Sequence, residues 1–107
     1  MTNKELLEEA FPHHTQVGGN HYTKFHIQPY EFMRLNNLNT FQSNVIKYAM
    51  RYLNKGGEQD LNKIIHYCEL EKKILRDLKK GGEQDLDKII HYCELEKKIL
   101  RDLKKKK

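Results

Sequence analysis

The sequence predicts an all-α fold: a small helical domain of three to four helices, with a duplicated C-terminal amphipathic helix and an oligomeric assembly. Three observations lead there. Apolar residues recur every three to four positions from Phe41 onward. Proline, asparagine and glycine stand where helices must start or stop. Residues 56–80 and 81–105 are one 25-residue unit written twice, differing only at Asn62 and Asp87.

Residues 3–10 read as a short helix, with Glu5, Glu8 and Glu9 near its positive end and Pro12 stopping it. Two prolines, two glycines and four histidines make residues 12–29 a loop. Residues 1–28 are therefore expected to form a flexible N-terminal segment. Pro29 suits the first turn of a helix over residues 30–35, which Asn36 and Asn37 break. Asn39, followed three residues later by Gln42, makes a capping box for a helix over residues 40–54. Phe41, Val45, Ile46, Ala49, Met50, Tyr52 and Leu53 give that helix a wide apolar stripe, and Gly56 and Gly57 end it.

The repeat unit then begins near Gln59 or Asp60. Glu58 and Asp60 lie at its positive end, while Lys72, Lys73, Arg76, Lys79 and Lys80 lie toward its negative end. Leu61, Ile64, Ile65, Cys68, Leu75 and Leu78 make one stripe. Residues 29–80 thus form the helical core and residues 81–107 a second copy of its last helix. A helix turns about 100° per residue, so a 25-residue shift falls about 20° short of whole turns. A straight run would keep both stripes on one face. Gly81 and Gly82 would cost such a run about 2 kcal/mol relative to alanine, which predicts a break instead. One core has one groove for one such helix. Leu86, Ile89, Ile90, Cys93, Leu100 and Leu103 of the second copy are therefore expected to meet another protomer or a partner.

Composition narrows the functional classes. At 107 residues the chain has room for one modest core. No apolar run approaches the roughly 20 residues of a membrane span, and the acidic N-terminus lacks a signal-peptide core, so the cytoplasm is the expected location. Residues 1–54 carry a net charge of +1 and residues 55–107 a net of +4, ending in four lysines. That end suits an acidic surface or nucleic acid, or simply keeps a helix terminus soluble. Cys68 and Cys93 are copies of one position and are expected to be free thiols in the core. His66 and Cys68, two residues apart, point about 200° from each other and cannot share a metal ion. The remaining histidines lack zinc spacing, so no metal site is expected.

Several blocks form a recognisable pattern: His21 and Tyr22; Ile27, Gln28 and Pro29; Asn44, Val45, Ile46, Lys47, Tyr48 and Arg51; Gly56 and Gly57; then Asp60, Leu61, Lys63, Ile64, Ile65 and Tyr67. Across about residues 20–75 this resembles the SaV-like family of small phage and prophage proteins, mostly of unknown function. The resemblance implies a phage-encoded protein. One member of that family, from a lytic podophage, phosphorylates deoxynucleoside monophosphates without a Walker A loop.

The residues themselves support a phosphate site in part. Asn44, Lys47 and Arg51 are spaced three and four residues apart and share a helix face. His21, Tyr22 and Lys24 can fold over it, Tyr22 stacking on a base and Arg51 gripping phosphate with two hydrogen bonds. In that case a nucleotide, with magnesium, is the ligand. The competing use of the same residues is structural, with Lys47 and Arg51 pairing with Glu58 or Asp60 to pin the helix junction. No GxxxxGK[ST] loop is present, and Glu58 and Asp60 would repel an anion from the helix start after Gly57.

Three functions follow. The first is a helical interaction protein that binds a host or defence macromolecule, for example an anti-CRISPR-type inhibitor; it fits the size, the surface charge and the absence of a catalytic constellation. The second is nucleotide binding or deoxynucleoside monophosphate phosphorylation. The third is basic DNA binding through the lysine-rich end.

Overall fold

The computed structural model describes residues 26–105, and four helices follow one another within them: α1 (Pro29–Leu35), α2 (Thr40–Arg51), α3 (Gly57–Leu78) and α4 (Glu83–Lys105). The expected helix over residues 3–10, and His21, Tyr22 and Lys24, lie outside the described residues. α3 is the central element, with α2 and α4 both packed on it and α1 packed on α2.

Local chemistry explains the boundaries. Pro29 occupies the first turn of α1, and Asn37 takes a left-handed conformation (φ 53°) just after its end. The Asn39 side chain accepts from the Gln42 backbone N–H at 2.8 Å, while Gln42 Oε1 accepts from the Asn39 N–H at 3.0 Å. This is the reciprocal capping box anticipated for α2. α2 stops at Arg51, three residues earlier than expected, and α3 starts at Gly57, two or three residues earlier. At the end of α3 the left-handed cap is Lys79 (φ 56°), not a glycine. Its N–H donates to the Arg76 carbonyl, and that of Lys80 donates to the Leu75 carbonyl. Gly81 and Gly82 then take φ of 73° and 92°, a region open to glycine at little cost, and the chain reverses.

That reversal folds the second copy onto the first. The hairpin carries an internal pseudo-two-fold axis, visible in its ion pairs. Arg76 bridges to Glu83 at 2.5 Å, and the copies of these two residues, Arg101 and Glu58, bridge at 2.7 Å. Lys72 and its copy Lys97 are buried alike, at 15% and 12% side-chain exposure. The His66–Tyr67 and His91–Tyr92 ring pairs share one geometry, 6.1 Å and 51°. The single difference between the copies falls on a contact of this kind: Lys72 reaches Asp87 at 2.6 Å, and the residue that corresponds to Asp87 in the first copy is Asn62.

The core lies along the seam. Leu61, Ile64 and Cys68 of α3 meet Leu86 and Cys93 of α4, flanked by Phe41, Val45, Tyr48 and Tyr52 from the α2 side. The residues expected to face another protomer are thus largely used inside the chain. Leu86 and Cys93 are buried, Ile89, Ile90 and Leu100 are partly buried against them, and only Leu103 is exposed. The physical reason is the turn at residues 79–82. It lets the second stripe cover the first, because identical apolar faces are as complementary within a hairpin as between chains.

Burial sets the behaviour of the thiols. Cys68 is pushed from an ordinary value near 9 up to about 11, mainly by burial and then by the nearby Cys93 and Glu69, with Lys72 opposing. Burial also raises Cys93. Both are therefore expected to resist a thiol reagent at pH 8 in the native protein and to react fully in denaturant, which a timed disulfide-exchange assay measures. The Tyr52 hydroxyl is raised to about 12, first by its hydrogen bond to Glu96 and then by burial. For both groups the folded state favours the protonated form. Their contribution is complete below about pH 9 and is lost as pH rises through 11 and 12. Urea midpoints should stay level to pH 8 and fall between pH 9 and 12, and Tyr52→Phe should remove the last part of that fall.

Candidate functional site

The regular spacing of cations on α2 resolves into a compact cluster at the α2–α3 junction. Tyr48 lies at its centre. The Arg51 guanidinium sits 4.7 Å, the Lys63 ammonium 4.9 Å and the Lys47 ammonium 5.3 Å from the centroid of its ring. Tyr67 stacks beside Tyr48 with centroids 6.1 Å apart and planes at 19°. Burial, followed by the neighbouring Tyr48, holds the Tyr67 hydroxyl above its usual value.

Asp60 organises the cationic side. Its side chain has no accessible surface, and it accepts two hydrogen bonds from Arg51, Nε to Oδ2 and Nη2 to Oδ1, each at 3.0 Å. Lys63 approaches the same carboxylate at 3.7 Å. The junction-pinning use of Arg51 is therefore present, with Asp60 as its partner. Glu58 pairs with Arg101 of α4. Arg51, Lys63 and Lys47 gather around the Tyr48 ring, and one buried carboxylate faces two of them, so the cluster keeps an excess of positive charge beside two aromatic rings. Asn44 lies on α2, partly exposed, and Lys47 is exposed. Asn44, Lys47, Tyr48 and Arg51 of α2 thus lie with Lys63 of α3 at one junction. The other residues expected at a phosphate site, His21, Tyr22 and Lys24, lie outside the described residues. Among the described residues no group of three His, Cys, Asp or Glu side chains is arranged to hold a metal ion.

Gly56 is the hinge of this arrangement. A Cβ there would overlap the Asp60 carboxylate. Gly56→Ala is expected to drive Asp60 off Arg51 and lower stability by about 3 kcal/mol. Its copy Gly81 has open space around it, and alanine there meets only the strain of φ 73°, about 1 kcal/mol. Urea denaturation of the two variants compares the sites directly.

A second feature lies beside the first. Val45, Ala49 and Tyr52 of α2, Leu61 and Ile64 of α3, and Ile89, Tyr92, Cys93 and Glu96 of α4 line an open apolar groove of about 290 Å³. The Tyr52 hydroxyl donates to Glu96 Oε2 at 2.5 Å across it. Composition and periodicity missed this groove, because it exists only where α2 and α4 stand side by side on α3.

The fold and cluster define a small all-α domain with a basic, aromatic junction and an open apolar groove. No described helix is long and apolar enough to cross a membrane. Residues 17–69 match the model of a family described as proteins of unknown function, DUF3310. That span includes the whole α2–α3 cluster and stops within α3, so α4 lies outside it. No similarity to a curated protein or to a solved structure was found.

Proposed function

We propose that this chain is a helical protein-interaction module, encoded by a phage, that binds a host or defence macromolecule, with an anti-CRISPR-type or other anti-defence inhibitor as the specific form. The observation that carries this reading is the apolar surface beside α4: the groove and the exposed Tyr92, Leu95, Ile99 and Leu103. Contiguous apolar surface of this kind is characteristic of partner sites. The phage assignment rests on the resemblance of residues 20–75 to the SaV-like family. The test is to mix the purified chain with isolated defence effectors and analyse the products by native mass spectrometry. A complex of fixed stoichiometry that Ile99→Glu abolishes supports the reading. Complexes insensitive to both Ile99→Glu and Tyr92→Ala, or none at all, end it. Self-association through the same exposed row would appear in that experiment as a homo-oligomer that Leu103→Glu dissociates.

The cation cluster favours a second reading, in which a nucleotide phosphate binds at Asn44, Lys47, Arg51 and Lys63 and its base stacks near Tyr48. Lys47→Ala is the appropriate probe, because Arg51 also holds Asp60. Deoxynucleoside monophosphates and magnesium ATP should raise the melting temperature of the wild type by mass action and that of Lys47→Ala much less. Labelled phosphate transfer distinguishes a kinase from a binder.

A further inference from the structure

The duplication supplies a control inside one molecule. Away from the zone covered by α2, the apolar side chains of the two copies are buried alike. Leu61 and Leu86 are both buried, as are Cys68 and Cys93, while Leu70, Ile74 and Leu78 are about as exposed as Leu95, Ile99 and Leu103. Where α2 sits on α3, three side chains break the match. Asp60 has no exposed side-chain surface, whereas Asp85 is 86% exposed and pairs with Lys88, one turn away. Ile64 is buried and Ile89 only partly so. Tyr67 stacks on Tyr48, whereas Tyr92 is 66% exposed. α4 therefore displays, uncovered, the same face with which α3 holds α2.

The symmetry also says where the missing helix would lie. The pseudo-two-fold axis of an antiparallel pair runs perpendicular to the plane of its helices, so it carries α2 from above α3 to an equivalent position above α4, on the same side of the hairpin. The open groove lies there, floored by Ile89, Tyr92 and Cys93 and walled by Val45, Ala49 and Tyr52 of α2. A helix in it would complete a four-helix arrangement. α2 of the same chain cannot fill it, because α2 already covers α3 and is tied to it by a short link.

We infer that the groove above α4 is a docking site for a helix with α2's own pattern, a tyrosine followed three residues later by an arginine on an apolar face, supplied by another polypeptide. The tyrosine stacks on Tyr92, the arginine takes Asp85 as Arg51 takes Asp60, and the apolar side covers Ile89. This deepens the interaction reading above and rests on it, by stating the chemistry of the partner.

The test uses the full chain and a fluorescent peptide of residues 38–54, which contains the Asn39 and Gln42 capping box. A second version, stapled in the helical form on its solvent side, removes the cost of ordering the peptide. Saturable one-to-one binding is expected, weakened at least about tenfold by Asp85→Asn or Tyr92→Ala in the chain, since a charge-assisted pair or a ring contact is lost. An Arg51→Gln peptide should bind the wild type about tenfold more weakly and show no further loss on Asp85→Asn. Two results overturn the inference: no saturable binding of the stapled peptide, or binding that Asp85→Asn and Tyr92→Ala both leave unchanged, as happens if the peptide displaces α2 from α3. Either result leaves the interaction module standing with a partner of different chemistry, whereas failure of effector capture with peptide binding intact removes the biological role and keeps the site.

Discussion

Arg51→Ala is expected to destabilise the fold by about 3 kcal/mol, the low end of the 3–5 kcal/mol typical when one partner of a buried ion pair is removed. Asp60 has no exposed side-chain surface, and Arg51 provides two 3.0 Å hydrogen bonds to it. Without them a carboxylate stays in the interior with Lys63, at 3.7 Å, as its remaining cation near the ring cluster. That residual partner is the reason for choosing the lower figure. Asp60→Ala should cost less, since it removes the buried charge and leaves a partly exposed arginine. Asp85→Ala supplies the matched control. It makes the same chemical change in the same local sequence, but at an exposed side chain, and should stay within about 0.5 kcal/mol. Urea unfolding followed by helical circular dichroism measures all three. Equal losses in Arg51→Ala and Asp85→Ala would show that burial of Asp60 is not what gives the pair its weight. The same argument bears on ligand assays: activity lost in Arg51→Ala reports on the fold as much as on a phosphate.

Ile64→Ala should cost about 3–4 kcal/mol and its copy Ile89→Ala about 1–2 kcal/mol. Ile64 is 2% exposed at the base of the groove, packed among α2, α3 and α4, so truncation removes fully buried surface and leaves a deep gap that its packed neighbours close only in part. Ile89 borders the open groove, where solvent and side chains relax into the gap. Both residues stand in an identical IIHYCELEKK context, so helix propensity and denatured-state effects cancel in the comparison. The difference in urea midpoints therefore reads the covering by α2 alone. Midpoints that coincide would mean that α2 adds nothing to this part of the core. The comparison also connects to the docking inference, because a helix bound over α4 should raise the cost of Ile89→Ala toward that of Ile64→Ala.

Much of the helical layout was legible beforehand. Pro29, the Asn36 and Asn37 pair, the Asn39 and Gln42 box and the paired glycines act through backbone chemistry within a few residues, and each marks a boundary that the structure shows within about three positions. Arg51 with Asp60 was also foreseeable as a junction pair, since nine residues and a turn separate them. Tyr48 was not recognised as the centre of the cation cluster. Its role depends on Lys63 and Tyr67 arriving from α3, and no spacing rule within α2 signals that. The residues given to an oligomer contact were chosen on the premise that each core has room for one helix. The direction of the chain at Lys79 decided otherwise, because a left-handed lysine followed by two positive-φ glycines turns the spare stripe inward.

By itself the sequence determined the helices, their approximate ends and the near-equivalence of the two copies, because capping, dipole and periodicity act over distances shorter than a helix. Only the tertiary structure decided that the copies play unequal parts. One α2 cannot cover two identical faces, so Asp60, Ile64 and Tyr67 are sheltered while Asp85, Ile89 and Tyr92 face a groove. That asymmetry comes from packing between distant segments, which two nearly identical strings of residues do not encode.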